Sequence, residues 1–586
     1  MAADPNKLYQ FWQELKRRRV VHVITVYATS AFVIIELINN LAEPLNLPNR
    51  LATIVIAILA VGFQLTIVLS WLYDLTSKGV ERTKPLSETK NEEKTFIPNA
   101  WKIATIVSFA VIIGLVVLNI IGIGKQVRHG EIKSLLILPF QNYTGDIQLD
   151  VFISGMHAAL IGDVGRISDL NVISKTTSDV YKDADMTIAQ IASELGVDVI
   201  VEPAVMRLGD SIFFQLKMIS PEEEQLWIAE YRELKNNIPN LHNLVTKQIA
   251  DEMKIELSAD QDRILAESNS VEPEALDAYF KGLLYLDKID RESLIKAGEQ
   301  FNRTIEIEPA WAPPYASLAE ANAYAMQMSF VKPSTAIPKI YENLNMALEL
   351  DPNSSIAHYT KAVVAVWTEW NWGKGEQAFK KSLELNPSNA LCRTFYAHLL
   401  MILRRFDEAY YQGNLALKLD PDRVFVRSLN SGAVTKGDPQ AAIKFHKETL
   451  ALDPNHRFTL LQLAVAYRDI GEYEKWYELW KRKSSFDDGD IAEIDRVFQE
   501  EGYLAATEII IKLEEEAASE KQVNIGGHVT RYLELGQYDK AMDWLEKGYE
   551  IHHPSMPYIT TRWDQLKDNS RYIALLEKMN LPLPQD

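Results

Sequence analysis

The stretch LALKLDPDR, residues 415–423, ends an apolar, helix-like run on Asp420-Pro421. Nearly the same ending recurs at Leu348 to Pro352 (LELDP), Leu383 to Pro387 (LELNP) and Leu450 to Pro454 (LALDP). A residue before proline is pushed out of the α region, so each ending marks a helix terminus. The Asp or Asn is then placed to cap the next helix, with proline tolerated in its first turn. Counting Pro309, the prolines stand 43, 35, 34 and 33 residues apart. A period near 34 is that of stacked helix pairs, one pair per repeat. The long first interval contains Met326 to Pro338 (MQMSFVKPSTAIP), which reads as an insertion within a unit.

Small and aromatic residues recur where helices must cross closely: Ala297 and Phe301, Gly375 and Phe379, Ala409 and Ala416, and Ala442. The phrases Arg405-Phe406-Asp407-Glu408-Ala409, Gly471-Glu472-Tyr473-Glu474-Lys475 and Gly536-Gln537-Tyr538-Asp539-Lys540-Ala541 resemble the turn and second-helix opening of the tetratricopeptide repeat. The usual Trp and Gly of the first helix are largely missing. The expectation is an all-α tetratricopeptide repeat solenoid over 270–586. Five or six recognisable units run from about Glu274 to Asp453, and degenerate ones follow. Trp367, Trp370 and Trp372 could form a ligand cage, but packing between helices is the better reading. The terminal IALLEKMNLP resembles a closing helix that seals the last apolar face.

Ahead of the repeats the pattern alternates. Ser134 to Pro139, Leu170 to Ser174 and Val197 to Val201 read as strands, with helices over Phe152 to Ile167 and Thr187 to Leu195. A hairpin of Ile212 to Ile219 with Leu226 to Tyr231 follows, then a helix from about Leu241 to Leu257. Such alternation defines a small α/β domain over 131–258. LLILPFQN, GDVGRISDLNVISKTTS, IASELGVDVIVEPAVMRLGDSIFFQLKMI and QLWIAEYRE resemble the TolB amino-terminal-like (FlgO-like) domain. Pro203 departs from the usual Gly there. The resemblance implies a cell-envelope domain without known catalytic residues.

Three apolar runs precede this domain, Val20 to Leu41, Leu51 to Leu72 and Ile103 to Ile123, each near the roughly 20 residues needed to cross a bilayer. They define an expected three-span transmembrane region over 20–125, after a cytoplasmic segment 1–19 and around a cytoplasmic loop at about 75–101. Lys and Arg cluster before the first run and between the second and third, so the amino terminus is expected inside and everything after about 125 outside. The implied location is the bacterial inner membrane, multi-pass, with a periplasmic body. Glu36 falls near the outer end of its run, where a structural role is favoured over transport. The leader FWQELKRRRVVHVITVYATSAFVIIEL is similar to those preceding such α/β domains. Some relatives carry an adenylate cyclase catalytic domain or a DNA-binding winged helix on the inner side, and about 19 residues are expected to be too few for either.

The formal charge of −19 divides into +5 over residues 1–130 and −24 over the rest, a balance that repels phosphate backbones and argues against nucleic acid. The one cysteine, Cys392, reads as a small buried hydrophobe. Gly122-Ile123-Gly124 is not set between a strand and a helix, so it is no nucleotide motif. His552-His553 point apart if helical and read as a surface pair. Asp487, Asp488 and Asp490 lack calcium-loop order and read as a solvated loop. Asn142-Tyr143-Thr144 is a chance glycosylation triplet. No catalytic, cofactor-binding or metal residue is assigned, and no cofactor.

The fold class expected is therefore multidomain: three transmembrane helices, a small α/β domain and a repeat solenoid. The function expected is a non-enzymatic, membrane-anchored scaffold. It would bind protein or peptide partners in the repeat groove, or itself as a homo-oligomer, with the lipid bilayer as its other partner. The rival expectation is a transmembrane sensor working with a separate cytoplasmic effector.

Overall fold

The computed structural model describes residues 23–24, 26–32, 34–35, 59, 62–63, 66, 73–76 and 79–82 of the first 128. Beyond them it describes 132–584 apart from 168–169, 209–210, 235–240, 253–270, 329, 483, 485 and 518–524. The chain divides into two compact units after Arg128. In the first, Tyr27 donates its hydroxyl to the Leu59 carbonyl at 2.8 Å, with its ring centroid 5.7 Å from that of Phe63. Strands β1 (Tyr73–Thr76) and β2 (Gly79–Arg82) form an antiparallel hairpin at the start of the expected cytoplasmic loop.

The expectation of three transmembrane helices is corrected here. Among the described residues no helix is long and apolar enough to cross a membrane. Within the first two apolar runs the described residues 23–24, 26–32, 34–35, 59, 62–63 and 66 are helical. The third run, Glu36 and Gly122-Ile123-Gly124 lie outside the described residues. The multi-pass inner-membrane location expected from those spans is therefore not supported.

The second unit begins with a six-stranded sheet. Its strands are β3 (Ser134–Ile137), β4 (Gln141–Asn142), β5 (Asn171–Val172), β6 (Val199–Leu208), β7 (Ser211–Ile219) and β8 (Gln225–Leu234). The order is β5–β3–β6–β7–β8, with β4 beside β6; β3 pairs parallel to β5 and β6, and β6, β7 and β8 pair antiparallel. All four residues of β3 are buried, as a parallel strand covered on both faces requires. Pro203 stands inside β6, which continues past Val201 to Leu208. Its missing N–H falls beside the break between β3 and β4, where Pro139 also lies. At that break the Ile137 carbonyl is taken by His157 Nε2 at 2.9 Å and Ser178 Oγ at 2.6 Å.

Four helices accompany the sheet: α1 (Ile147–Val164), α2 (Lys175–Val180), α3 (Ile188–Leu195) and α4 (Leu241–Glu252). Thr187 and Gln190 close a capping box on α3, and Gly196 ends it in the left-handed region.

From Pro273 the chain is helical. The pairs are α5 (Pro273–Leu286) with α6 (Arg291–Ile307), α7 (Ala312–Gln327) with α8 (Pro333–Leu350), and α9 (Ser355–Trp367) with α10 (Trp372–Leu385). Next come α11 (Ala390–Ile402) with α12 (Phe406–Leu419), and α13 (Val424–Thr435) with α14 (Pro439–Leu452). Then follow α15 (Arg457–Asp469) with α16 (Tyr473–Lys481), α17 (Asp488–Glu501) with α18 (Tyr503–Ala517), and α19 (Ile525–Glu534) with α20 (Tyr538–Glu550). Two 3-10 turns, Met556–Thr561 and Asp564–Leu566, and α21 (Ser570–Lys578) end the chain. The crossings are close: Ala297, Phe301, Phe379, Ala409 and Ala416 are fully buried, and a Cβ at Gly375 would collide with Val366. The insertion expected at Met326 to Pro338 lengthens the start of α8, which carries Pro338 within it.

The recurring endings work differently from the expected N-caps. Asp351, Asn386, Asp420 and Asp453 are C-caps, and the proline follows outside the helix. At three of them the side-chain oxygen accepts the N–H two residues on: Asn353 at 3.1 Å, Ser388 at 3.0 Å and Asn455 at 3.0 Å. This Asx-turn turns the chain over the proline, and the next helix starts on its own cap, such as Ser354 or Asn389.

Asp420, in the stretch LALKLDPDR, breaks the rule. Its Oδ1 accepts from Ser174 Oγ and, at 3.2 Å, from Thr177 Oγ1, while the Asp422 N–H goes to Thr177 Oγ1 at 3.3 Å. Ser174 and Thr177 belong to the cap and first turn of α2, so this turn seats the α/β layer on the solenoid. The preceding turn does the same. Ser388 Oγ accepts the Val172 N–H at 3.0 Å and donates to the Leu170 carbonyl at 2.9 Å, covering the open edge of β5. Helix α1 packs on α5 at Gly155, where a Cβ would strike the Phe280 backbone.

Candidate binding cavity

The carboxyl-terminal segment folds back on the middle of the solenoid. Trp367 Nε1 donates to the Tyr558 hydroxyl at 3.1 Å, and that hydroxyl lies 2.9 Å from His398 Nδ1. His398 Nε2 is 2.7 Å from the Leu429 carbonyl, which accepts only, so Nε2 carries the proton and Nδ1 receives the phenol's. Burial pushes the His398 pKa down to about 4 and that of Tyr558 up to about 12, holding both groups neutral. Arg404 Nη1 donates to the Thr560 carbonyl at 2.9 Å, and Thr560 Oγ1 to the Ile402 carbonyl at 2.7 Å. Trp370 and His552 stack at 3.6 Å between centroids, each with its own backbone in the left-handed region.

Closure of the chain upon itself leaves a cavity of about 1250 Å3 walled by α13 to α19 and the closing segment. Helix α15 turns an exposed apolar stripe into it, Phe458, Leu461 and Val465, at helical spacing along one face. The charged lining is mostly paired. Arg468 Nε is 3.1 Å from Glu534 and its Nη2 2.9 Å from Asp469, while Arg531 bonds Glu514 at 2.5 Å. Asp438 and Asp487 are occupied as N-caps of α14 and α17. Arg457 and Arg562 also line the cavity.

The residues singled out from sequence are dispersed. Of the three tryptophans, Trp367 and Trp372 bond the closing segment, Trp372 Nε1 through the Met579 carbonyl at 2.8 Å, and Trp370 stacks on it. His552 meets Trp370, while His553 Nδ1 contacts Ser555 at 2.8 Å. Asp488 and Asp490 form the first turn of α17 rather than a loop. Cys392 is buried in α11, and burial pushes its thiol up to about 12. Asn142 Nδ2 donates to Asp150 at 2.7 Å. Among the described residues no group of three or more His, Cys, Asp or Glu could hold a metal ion. Sequence reading missed the α15 stripe and Arg562. The exposed positions 458, 461 and 465 were the available signal, but the stripe reads as ordinary core until the partner helix is known to leave it bare.

No family model matches the chain. It is 26% identical over 237 residues to the Rhizobium meliloti (strain 1021) protein named putative adenylate cyclase 3, covering 40% of each. It is 23% identical over 299 residues to the Salmonella typhimurium transcriptional regulator HilA, covering 50% of this chain and 51% of that one. The chain thus spans two fifths to about half the length of these curated relatives. Among solved structures it is similar to YrrB, described as a tetratricopeptide protein with an unusual peptide-binding site, at TM-score 0.24 and 19% identity over 36% of this chain and 96% of that one. It is also similar to the human IFIT1 dimer with m7Gppp-AAAA, at TM-score 0.34 and 15% identity over 54% and 80%. Similarity at this level carries no argument. The tetratricopeptide-like solenoid rests on this chain's own helix pairs and their turns.

Proposed function

We propose that this protein is a non-enzymatic scaffold whose closed solenoid holds a segment of a protein partner in its cavity. The observation that carries the reading is the apolar stripe of Phe458, Leu461 and Val465, bare in a space of about 1250 Å3. Water against that stripe is replaced favourably by apolar side chains, and an extended segment fits the volume better than a small molecule does. The acidic body, −24 beyond residue 130, favours a protein over a nucleic acid occupant. The sheet domain, which we read as TolB amino-terminal-like, is seated on the solenoid by Ser388 and Asp420 and acts as its rigid partner.

A peptide array probed with the purified full chain tests this. Leu461→Glu with Val465→Glu should abolish peptide retention and leave the melting temperature within a few degrees, because both positions are exposed. Retention unchanged in that variant, or no peptide retained by the native chain, overturns the reading. The same variant in sedimentation shows whether the occupant is a second copy of this chain.

A further inference from the structure

We infer that the closing segment completes a carboxylate-receiving site in the cavity: Arg562, beside the α15 stripe, takes an acidic side chain or chain terminus of a peptide that lays apolar residues on Phe458, Leu461 and Val465. The inference rests on the scaffold reading and adds the chemistry of the occupant.

Charge pairing singles out Arg562. Glu534 and Asp469 are bonded to Arg468, and Glu514 to Arg531. Arg562 makes no ion pair among the described residues; its guanidinium lies 5.4 Å from the Tyr558 ring centroid, and its charged neighbour is another guanidinium, Arg468. Arg562 is exposed and lines the cavity, so an arriving carboxylate reaches it without displacing a native partner. Arg457, in the first turn of α15, is likewise without an ion pair among the described residues. Asp490 is the lining acid left over, and it sits in the first turn of α17, where the helix N-terminus favours negative charge.

Space points the same way. Nη1 of Arg562 lies 3.5 Å from where a Cβ on Gly526 of α19 would stand, an ordinary contact distance, and the rest of its side chain is open. A planar guanidinium offers two parallel N–H donors, which match a carboxylate bidentately. Arg562 immediately follows the turn Met556–Thr561 that bonds α11, so the site exists only in the closed ring.

The test uses the full chain and labelled peptides retained on the array, each made with its Asp and Glu residues intact and with Asn and Gln in their place. The acidic form should bind roughly tenfold to a hundredfold more tightly at low salt. Arg562→Gln should level the pair, and Arg562→Lys, which keeps the charge and loses the fork, should keep only part of the difference. Protection of residues 556–581 from hydrogen exchange checks that closure survives. Equal binding of acidic and amide peptides by the native chain overturns the inference and leaves the scaffold reading standing. Loss of all binding in the α15 variant alongside equal binding isolates that outcome. Should Arg562→Gln fail to fold, the native chain's acid-to-amide ratio and its erosion by salt decide the matter.

Discussion

Trp372 Nε1 donates to the carbonyl of Met579 at 2.8 Å, joining residues 207 apart in sequence. Trp372 opens α10 and Met579 follows α21, so one bond ties the third helix pair to the end of the chain. Both residues are buried.

Trp372→Phe keeps the ring and removes the donor. Leaving that buried carbonyl unpaired costs about 1–3 kcal/mol. Hydrogen exchange should quicken over residues 570–581 and stay unchanged over β6 and β7.

Tyr558→Phe strands two partners at once, the Trp367 indole and His398 Nδ1. The expected cost is about 2 kcal/mol or more. The native contact is also pH-sensitive. His398 has its pKa lowered from 6.5 to about 4, so its contribution is present above pH 6.5 and lost as pH falls toward 4. Thermal unfolding from pH 7 to pH 4 should show that loss, and His398→Gln should flatten it.

Asp420 titrates in the opposite sense. Burial pushes its pKa up to about 6 from an ordinary 3.8, partly offset by Arg423 and by the hydroxyls of Ser174 and Thr177. A raised pKa means that the folded state holds the proton more tightly. The stability it confers is therefore present below pH 4 and lost as pH rises to 6. Asp420→Asn removes the titration. The stability difference between native and variant should change between pH 4 and 6 and stay level above 6.5.

The five prolines at 309, 352, 387, 421 and 454 each stand two residues past a helix end, and they were legible because turn chemistry is local. The openings at Phe406, Tyr473 and Tyr538 were legible for the same reason. The hydrogen-bonding role of Asp420 was not, since its partners Ser174 and Thr177 lie some 240 residues away and look like any helix cap. Ring closure was hidden likewise: Trp367, Trp370 and Trp372 promise packing without saying against what. The three spans expected from the apolar runs before residue 125 are not found, since among the described residues no helix is long and apolar enough to cross a membrane.

Gly155 tests the seating of the sheet domain. Gly155→Val would drive its side chain into the Phe280 backbone, which cannot yield as a flexible side chain would. Destabilisation of about 1–3 kcal/mol or more is expected. Proteolysis should then begin between the sheet domain and α5, while the solenoid's own helices persist by circular dichroism.

Closure is best measured as a distance. Spin labels at Gln377 on α10 and Lys578 on α21, both exposed, report it directly, and Cys392, with its buried thiol raised to about 12, does not compete for label. A closed ring gives one narrow population at the short end of the measurable range, insensitive to dilution. A broad, long distribution would show an open rod, and with it the cavity and the carboxylate site would be lost.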